Sequence, residues 1–310
     1  MLINKKKNMP NNNRNLHSAK RAKNDEFYTQ LTDIEKEVVH YKEHFKDKIV
    51  LCNCNDAVHD NFVRYFKDNF NDLELQKIIY TSYGDNAYAY VYNGKETNNW
   101  KLKENGDFRS EEMIELLKKA DIVCTNPPFS RLREYVAQLV EYDKKFLIIG
   151  NGNAVTYKEF FPLIKENKVW LGAGKGMGGK AVEFMVEESI YDASKGSVNR
   201  IENGICYVGV MMVTWFTNLN HKKRNTPIDL YKYYNEEEYP KYDNYDAINV
   251  NKVTDIPLDY DGVMGVPISF LDKYCPEQFE IIGGSGLYGF PKKLIINGKV
   301  KYFRIFIKKI

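Results

Sequence analysis

Short apolar runs alternate with amphipathic stretches from Asp25 to about Ile149. Lys48-Ile49-Val50-Leu51-Cys52 predicts a first buried strand, and residues 56–70 predict a helix with Val58, Phe62, Val63 and Phe66 on one face. Lys77-Ile78-Ile79-Tyr80 predicts a second strand, followed over residues 86–103 by a Tyr-rich hairpin turning at Asn93-Gly94. Residues 110–119 carry a helix signal. Ser110 is its cap, Glu111 and Glu112 lie in the first turn, and Lys118 and Lys119 lie in the last. Asp121-Ile122-Val123-Cys124-Thr125 then predicts a buried strand, residues 130–141 a helix, and Phe146-Leu147-Ile148-Ile149 another strand. Further on, residues 157–166 read as helix, and Val169-Trp170-Leu171, 182–186 and 204–216 as extended. This alternation predicts an α/β fold on a mostly parallel sheet.

The ends differ from this body. Residues 1–23 are rich in Asn and Lys with little apolar content and predict a disordered arm. Residues 220–262 are polar, Tyr- and Asn-rich and weakly periodic. Ile295-Ile296-Asn297-Gly298-Lys299-Val300 announces a hairpin, with residues 303–307 expected in its returning strand. The division expected is therefore an arm at 1–23, a main domain at 24–219, and recognition loops with a C-terminal hairpin at 220–310.

Charge sharpens that division. The formal net charge is +3, yet residues 1–23 and 292–310 each hold seven Lys or Arg and no acid. Basic ends on an acidic body suit a polyanion-binding protein, and equally suit a solvated tail plus an edge hairpin protected by lysines. Five scattered cysteines form no zinc spacing and read as reduced, buried thiols. No apolar stretch has the length of a membrane span, and the charged residues 1–8 are followed by no hydrophobic region of the kind a signal peptide has, so the expectation is a cytoplasmic protein without a membrane partner.

The most specific chemistry is Asn126-Pro127-Pro128-Phe129, directly behind a buried strand. Two prolines fix φ and remove N–H groups, so the turn is stiff with its carbonyls aimed outward. The Asn126 side-chain oxygen and the Pro127 carbonyl can both accept from one amino group, and Phe129 offers a face for a planar base. Such a turn holds the protons of an exocyclic amine while its lone pair faces an electrophilic methyl. The alternative is a rigid turn that only closes a strand. Two glycine motifs are weaker. Residues 284–289 match the dinucleotide fingerprint, but only 21 residues follow, too few for the remainder of that unit, so they read as a turn. Residues 174–180 have phosphate-loop spacing but carry Ala181 where Ser or Thr is needed. A Gly/Lys loop touching a nucleic-acid backbone and a plain surface loop both remain open.

With that turn behind its strand, the chain resembles amino-methyltransferases that use S-adenosylmethionine, and more narrowly the EcoRI-type adenine-specific DNA methyltransferases. The blocks that carry the resemblance, in order, are residues 24–30, 52–56, 106–110, 121–130, 215–219 and 266–271, so it spans about residues 24–290. It implies a seven-stranded, mostly parallel, Rossmann-like methyltransferase sheet with C-terminal recognition elements. Phe27, Tyr28 and Thr29 would close over the methionine end of S-adenosylmethionine. Cys52, Asn53 and Cys54 would approach the cofactor where relatives carry Gly-x-Gly. Asp107 would accept from the cofactor's adenine amine, with Phe108 beside that ring and Asn126 at the methyl. Trp215 and Asn218 would flank the target base beside Phe129, and Lys222 and Arg224 would read or hold DNA.

Plain structural roles are the alternatives for several of these residues. Asp107 could cap the helix at Ser110, Phe27 and Tyr28 could be core aromatics, and Trp215 could be core. No acid follows the second strand to take the ribose hydroxyls, leaving Asp85 as a weak substitute. The resemblance implies N6-methylation of a flipped-out adenine in double-stranded DNA, with catalysis by Asn126, Pro127, Pro128 and Phe129 and no metal. RNA or protein-glutamine methylation, or a silent DNA-binding protein of the same fold, are the competing readings. The recognition sequence and a cognate restriction endonuclease are left open by the sequence. The family favours a monomer.

Overall fold

The computed structural model describes residues 28–53, 57, 59–174, 176–177, 181–189, 191 and 198–310. The arm expected at residues 1–23 lies outside them, as do Phe27 and Cys54. The elements of the first half are β1 (Tyr28–Thr29), α1 (Leu31–Val38), β2 (Ile49–Asn53), α2 (Asn61–Asp68), β3 (Lys77–Thr81), β4 (Tyr88–Tyr92) and β5 (Thr97–Lys101). There follow α3 (Glu111–Lys119), β6 (Ile122–Thr125), α4 (Leu132–Glu141), β7 (Lys145–Asn151), α5 (Phe161–Lys165) and β8 (Trp170–Leu171). Four more strands come next: β9 (Val182–Glu187), β10 (Arg200–Glu202), β11 (Ile205–Val210) and β12 (Val213–Thr217). The last third holds β13 (Lys241–Tyr242), β14 (Tyr245–Asn249), β15 (Met264–Val266), β16 (Phe279–Gly284), β17 (Leu294–Ile296), β18 (Lys299–Lys301) and β19 (Ile305–Lys309).

The main sheet has the order β5-β4-β3-β2-β6-β7-β12-β8. Its centre, β3-β2-β6-β7, is parallel, with Leu51 opposite Ile79 and Val123, and Val123 opposite Phe146. The expectation of seven mostly parallel strands needs correction: there are eight, and four of the seven pairings are antiparallel. Short connections explain the difference, since a parallel return needs a dozen or more residues. Residues 82–87 allow only an antiparallel β4. β12 leaves β11 through Met211 and Met212, entering with Val213 opposite Asn151 at the far end of β7, so it runs backwards.

The fully apolar central strands bury both faces, as parallel strands do. Alternate residues Val50, Cys52, Ile122, Cys124 and Leu147 pack under α1 and α2 and against β9 and β11 of a second sheet, ordered β1-β9-β11-β10. Leu51, Val123, Phe146 and Ile148 face α3, α4 and α5, in a cluster that continues into Phe270, Ile281 and Ile305. Ser110 caps α3 as expected, its hydroxyl accepting from Met113 N at 3.4 Å. α2 begins later than its pattern, because Asp60 takes the capping position and accepts from Phe62 N and Val63 N at 2.8 and 3.3 Å. The Asn93-Gly94 hairpin forms, with Asn93 Oδ1 accepting from Lys95 N and Glu96 N at 3.0 Å each.

The weakly periodic last third is more ordered than its pattern suggested. β13-β14-β15-β19-β16 make a five-stranded sheet. The hairpin at Asn297-Gly298 is present, but its returning strand is Lys299–Lys301 rather than residues 303–307. Both turn residues have positive φ, a tight two-residue turn that pairs Ile296 with Lys299. Ile305–Lys309 then departs to pair with β15 and β16. Cys52, Cys124, Cys206 and Cys275 are buried thiols outside any disulfide. No helix among the described residues is long and apolar enough to cross a membrane.

Candidate active site

β2 and β6 are neighbours in register, so their carboxyl ends, Asn53 and Thr125, lie side by side. The Thr125 hydroxyl donates to the Asn53 carbonyl, and Tyr135 of α4 donates to Asn53 Oδ1 at 2.9 Å. Asn53 is thereby fixed at the position where a glycine was missed in the sequence. Cys52, one residue earlier, is buried in the sheet, and burial pushes its thiol well up. Beyond Thr125 the chain turns through half-buried Asn126, buried Pro127 and half-buried Pro128. The Pro128 carbonyl accepts from Arg131 N at 2.8 Å, closing a one-turn 3-10 helix, Phe129–Arg131.

Phe129 meets Phe184 of β9 edge to face, with ring centroids 6.0 Å apart. Phe184 is paired with Thr29, so β1 of the second sheet is brought over the same edge. The Thr29 carbonyl accepts from Asn61 Nδ2 at 2.8 Å. Its hydroxyl oxygen is the one buried side-chain polar atom among the described residues without a hydrogen-bond partner. An orphaned buried hydroxyl is uncommon and fits a site meant to receive a polar ligand.

Asp107 and Phe108 approach from the loop before α3. Asp107 Oδ1 accepts from Arg109 N at 3.0 Å and Arg109 Nε at 2.8 Å, and Oδ2 accepts from Arg109 Nη2 at 2.6 Å. Hydrogen bonding from the Arg109 side chain holds this carboxyl below its usual range, keeping it a charged acceptor. It does not cap α3; Ser110 does. Phe108 packs edge to face on Tyr135 at 5.0 Å, the same tyrosine that fixes Asn53. Thr29, Asn53, Asp107, Phe108 and the 126–129 turn are thus linked through Thr125, Tyr135 and Phe184. Burial also raises the Cys124 thiol, which suits no thiolate nucleophile.

Of the other sequence candidates, Trp215 lies near the same edge, opposite Ile149, while Asn218, Lys222 and Arg224 are placed elsewhere. Trp215 is buried in β12, edge-on to Phe62 at 5.9 Å, and floors a cleft of about 490 Å³ beside Lys36, Glu37 and His40 of the first helical segment. Asn218 joins Phe146 N and the Lys144 carbonyl, both at 2.9 Å, at the opposite end of β7. Lys222 is exposed on a one-turn helix. Arg224 is buried, its guanidinium 3.9 Å over the Trp170 ring and bonded to Asn167 Oδ1 at 2.6 Å.

Sequence reasoning passed over Tyr135 and two carboxylates. Glu37, buried in α1, accepts from Tyr41 Oη, Ala173 N and Gly174 N at 2.8, 2.7 and 2.9 Å. Asp272 accepts from Met177 N at 2.9 Å. A signal for Glu37 was present: it falls on the apolar stripe of α1 with Ile34, Val38 and Tyr41. Within the phosphate-loop spacing at 174–180, the amides of Gly174 and Met177 are taken by the protein's own acids.

A family model described as adenine-specific methyltransferase EcoRI matches residues 15–101 and 85–310. The chain belongs to this family. It is accordingly an adenine-specific DNA methyltransferase. Among curated relatives of this methyltransferase, the Type II methyltransferase M.EcoRI of Escherichia coli is 50% identical, over 96% of each chain. M.MgeORF184P of Mycoplasma genitalium is 39% identical over 94% of this methyltransferase and 97% of the relative. M.MpnI of Mycoplasma pneumoniae is 42% identical over 85% and 83%. No solved structure matches.

Proposed function

We propose that this methyltransferase transfers the methyl group of S-adenosylmethionine to the exocyclic N6 of an adenine flipped out of duplex DNA. The observation that carries the reading is the Asn126-Pro127-Pro128-Phe129 turn, held rigid beside Asn53 at the carboxyl edge of β2 and β6. Ligands of open α/β sheets bind at that edge. Four central parallel strands with a reversed β12 also agree with a Rossmann-like methyltransferase sheet.

The residues at the edge fit the cofactor. Tyr28, Thr29 and Asn53 would hold its methionine end, with the unpartnered Thr29 hydroxyl available to it. Asp107, kept charged by Arg109, would accept from its adenine amine, and Phe108 would lie against that ring. When bound, S-adenosylmethionine supplies an electrophilic methyl group.

The chain supplies orientation. An enclosed pocket reaches N6 only after the adenine leaves the stack, at a cost of a few kcal/mol. Stacking on Phe129 offsets this by about 1–3 kcal/mol. The Asn126 side-chain oxygen and the Pro127 carbonyl would accept hydrogen bonds from the two amine N–H groups and so turn the nitrogen lone pair toward the methyl, lowering the barrier by positioning and preorganised dipoles. No covalent enzyme intermediate is needed. In the same reading, residues 24–219 carry catalysis and residues 220–310 target recognition. Monomeric action beside a cognate restriction endonuclease is carried by the family alone.

The test is transfer from labelled S-adenosylmethionine to unmethylated duplex, followed by digestion to nucleosides. Label in N6-methyldeoxyadenosine is the expected outcome. Label in RNA or in a protein amide would overturn the substrate, and DNA binding without transfer would point to a silent binder.

A further inference from the structure

The sequence matched residues 284–289 to a dinucleotide fingerprint and read them as a turn. The fold makes them a braced platform for one side chain. Gly286 and Gly289 have φ of +76° and +84°, a backbone region that favours glycine. Between them, Leu287 N donates to the Gly284 carbonyl at 3.2 Å, Phe290 N to the Leu287 carbonyl at 3.1 Å, and Gly286 N to the Pro291 carbonyl at 2.8 Å. Phe290 anchors the far side, stacked on Phe306 of the interior strand β19 at 5.4 Å and 22°. Ser285 ties the near side to Arg304, its N donating to the Arg304 carbonyl and its Oγ accepting from Arg304 N, both at 2.9 Å.

On this braced turn Tyr288 is 99% exposed. A packed tyrosine buries roughly 150–250 Å², so holding one in water on an ordered loop contributes nothing to folding. Tyr302, beside the same Ser285–Arg304 junction, is 87% exposed. The chain that joins them carries Lys292, Lys293, Lys299 and Lys301, and none of the four makes an ion pair among the described residues. No acid occurs in residues 281–310. The neighbouring Asp243 carboxylate is occupied by Asn297 N and Gly298 N at 3.2 and 3.0 Å.

We infer that this face is a DNA-docking surface in which Tyr288 wedges into an opened base step of the duplex and stacks on the base exposed there, while the flanking lysines meet phosphates. Preorganised aromatic rings set among cations suit nucleic acid, because every base has a π-face and every phosphate a charge. The rigid turn means that little ordering entropy is lost on contact. The inference rests on the reading that the protein methylates DNA, and it adds a contact residue outside the catalytic edge.

The experiment measures duplex affinity of the full chain over a salt series, with methylation by the wild type followed in parallel. Tyr288→Ala is expected to weaken binding about tenfold, the effect of losing one base–aromatic stack. Tyr288→Phe is expected to stay within about twofold, since the ring acts and the hydroxyl does not. The pair Lys292→Ala and Lys293→Ala should lower the slope of log affinity against log salt by about 2. Thermal unfolding midpoints should not move, because these side chains are exposed. Unchanged affinity in Tyr288→Ala, or an equal loss in Tyr288→Phe, overturns the stack. If the wild type methylates duplex DNA while the variants bind as it does, only this inference falls. If the wild type neither binds nor methylates duplex, the proposed function fails and this inference with it.

Discussion

Two loops leave the main sheet at the same edge, one after β6 and one after β8, and they are stiffened in opposite ways. Residues 126–129 carry their own rigidity in Pro127 and Pro128. Residues 172–177 have Gly172, Gly174 and Gly176 and receive rigidity from elsewhere. Glu37 grips Ala173 and Gly174 from 136 and 137 positions away, and Asp272 grips Met177 from 95. Each glycine leaves room for a carboxylate: an added Cβ would lie 2.3, 2.4 and 2.8 Å from Glu37 or Asp272 oxygens. A loop that orients a reacting group is served by stiffness written into its own residues. A loop braced by distant acids depends on the whole domain being folded first.

The comparison breaks most visibly at Asn126. Asn126→Ala is expected to reduce turnover at least about 100-fold, with S-adenosylmethionine binding and the unfolding midpoint nearly unchanged. Turnover near wild type would remove the amine-holding role. At the other loop the order reverses, with stability falling first. Gly172→Ala drives its Cβ to 2.3 Å from Glu37 Oε1 and 2.5 Å from Trp215 Cβ, both on buried residues. The expected loss is about 1–3 kcal/mol in urea unfolding, and an unshifted midpoint would mean the brace has slack.

The smallest effect is a change of slope. Burial raises the Glu37 carboxyl above its ordinary 4.5, against the pull of Tyr41, Gly174, Ala173 and His40. A raised folded value favours the folded state when protonated. That contribution is complete below about pH 4.5 and is lost as pH rises through the folded value. Glu37→Gln lacks this titration. Wild type should therefore lose stability relative to the variant as pH climbs above 4.5, measured by urea midpoints across pH. Parallel curves would show that Glu37 titrates as an exposed glutamate does.

The same contrast marks how far the sequence could be read. β2, β3, β6, β7, the Asn93-Gly94 hairpin and the Ser110 cap are local patterns, and each formed where its pattern lay. The 126–129 turn was legible for the same reason. What escaped reading depends on residues far apart. β12 runs backwards because a two-residue link feeds it in at the far edge. Glu37 looked like any helix acid until Ala173 and Gly174 met it. The partners of Asn218 and Arg224 were equally hidden, since Asn and Arg have the same donors whatever they face. In the fold Asn218 bonds the backbone of Lys144 and Phe146, and Arg224 lies on Trp170.

β19 lies inside its sheet, between β15 and β16, although it is the last strand in chain order. During synthesis, β15 and β16 therefore wait side by side without the strand that joins them. Residues 285–304 separate β16 from Ile305–Lys309, so an interval with a split sheet lasts until β19 docks. A stop codon near residue 300 would make that interval permanent and leave Met264–Val266 and Phe279–Gly284 as open edges for another chain to pair with.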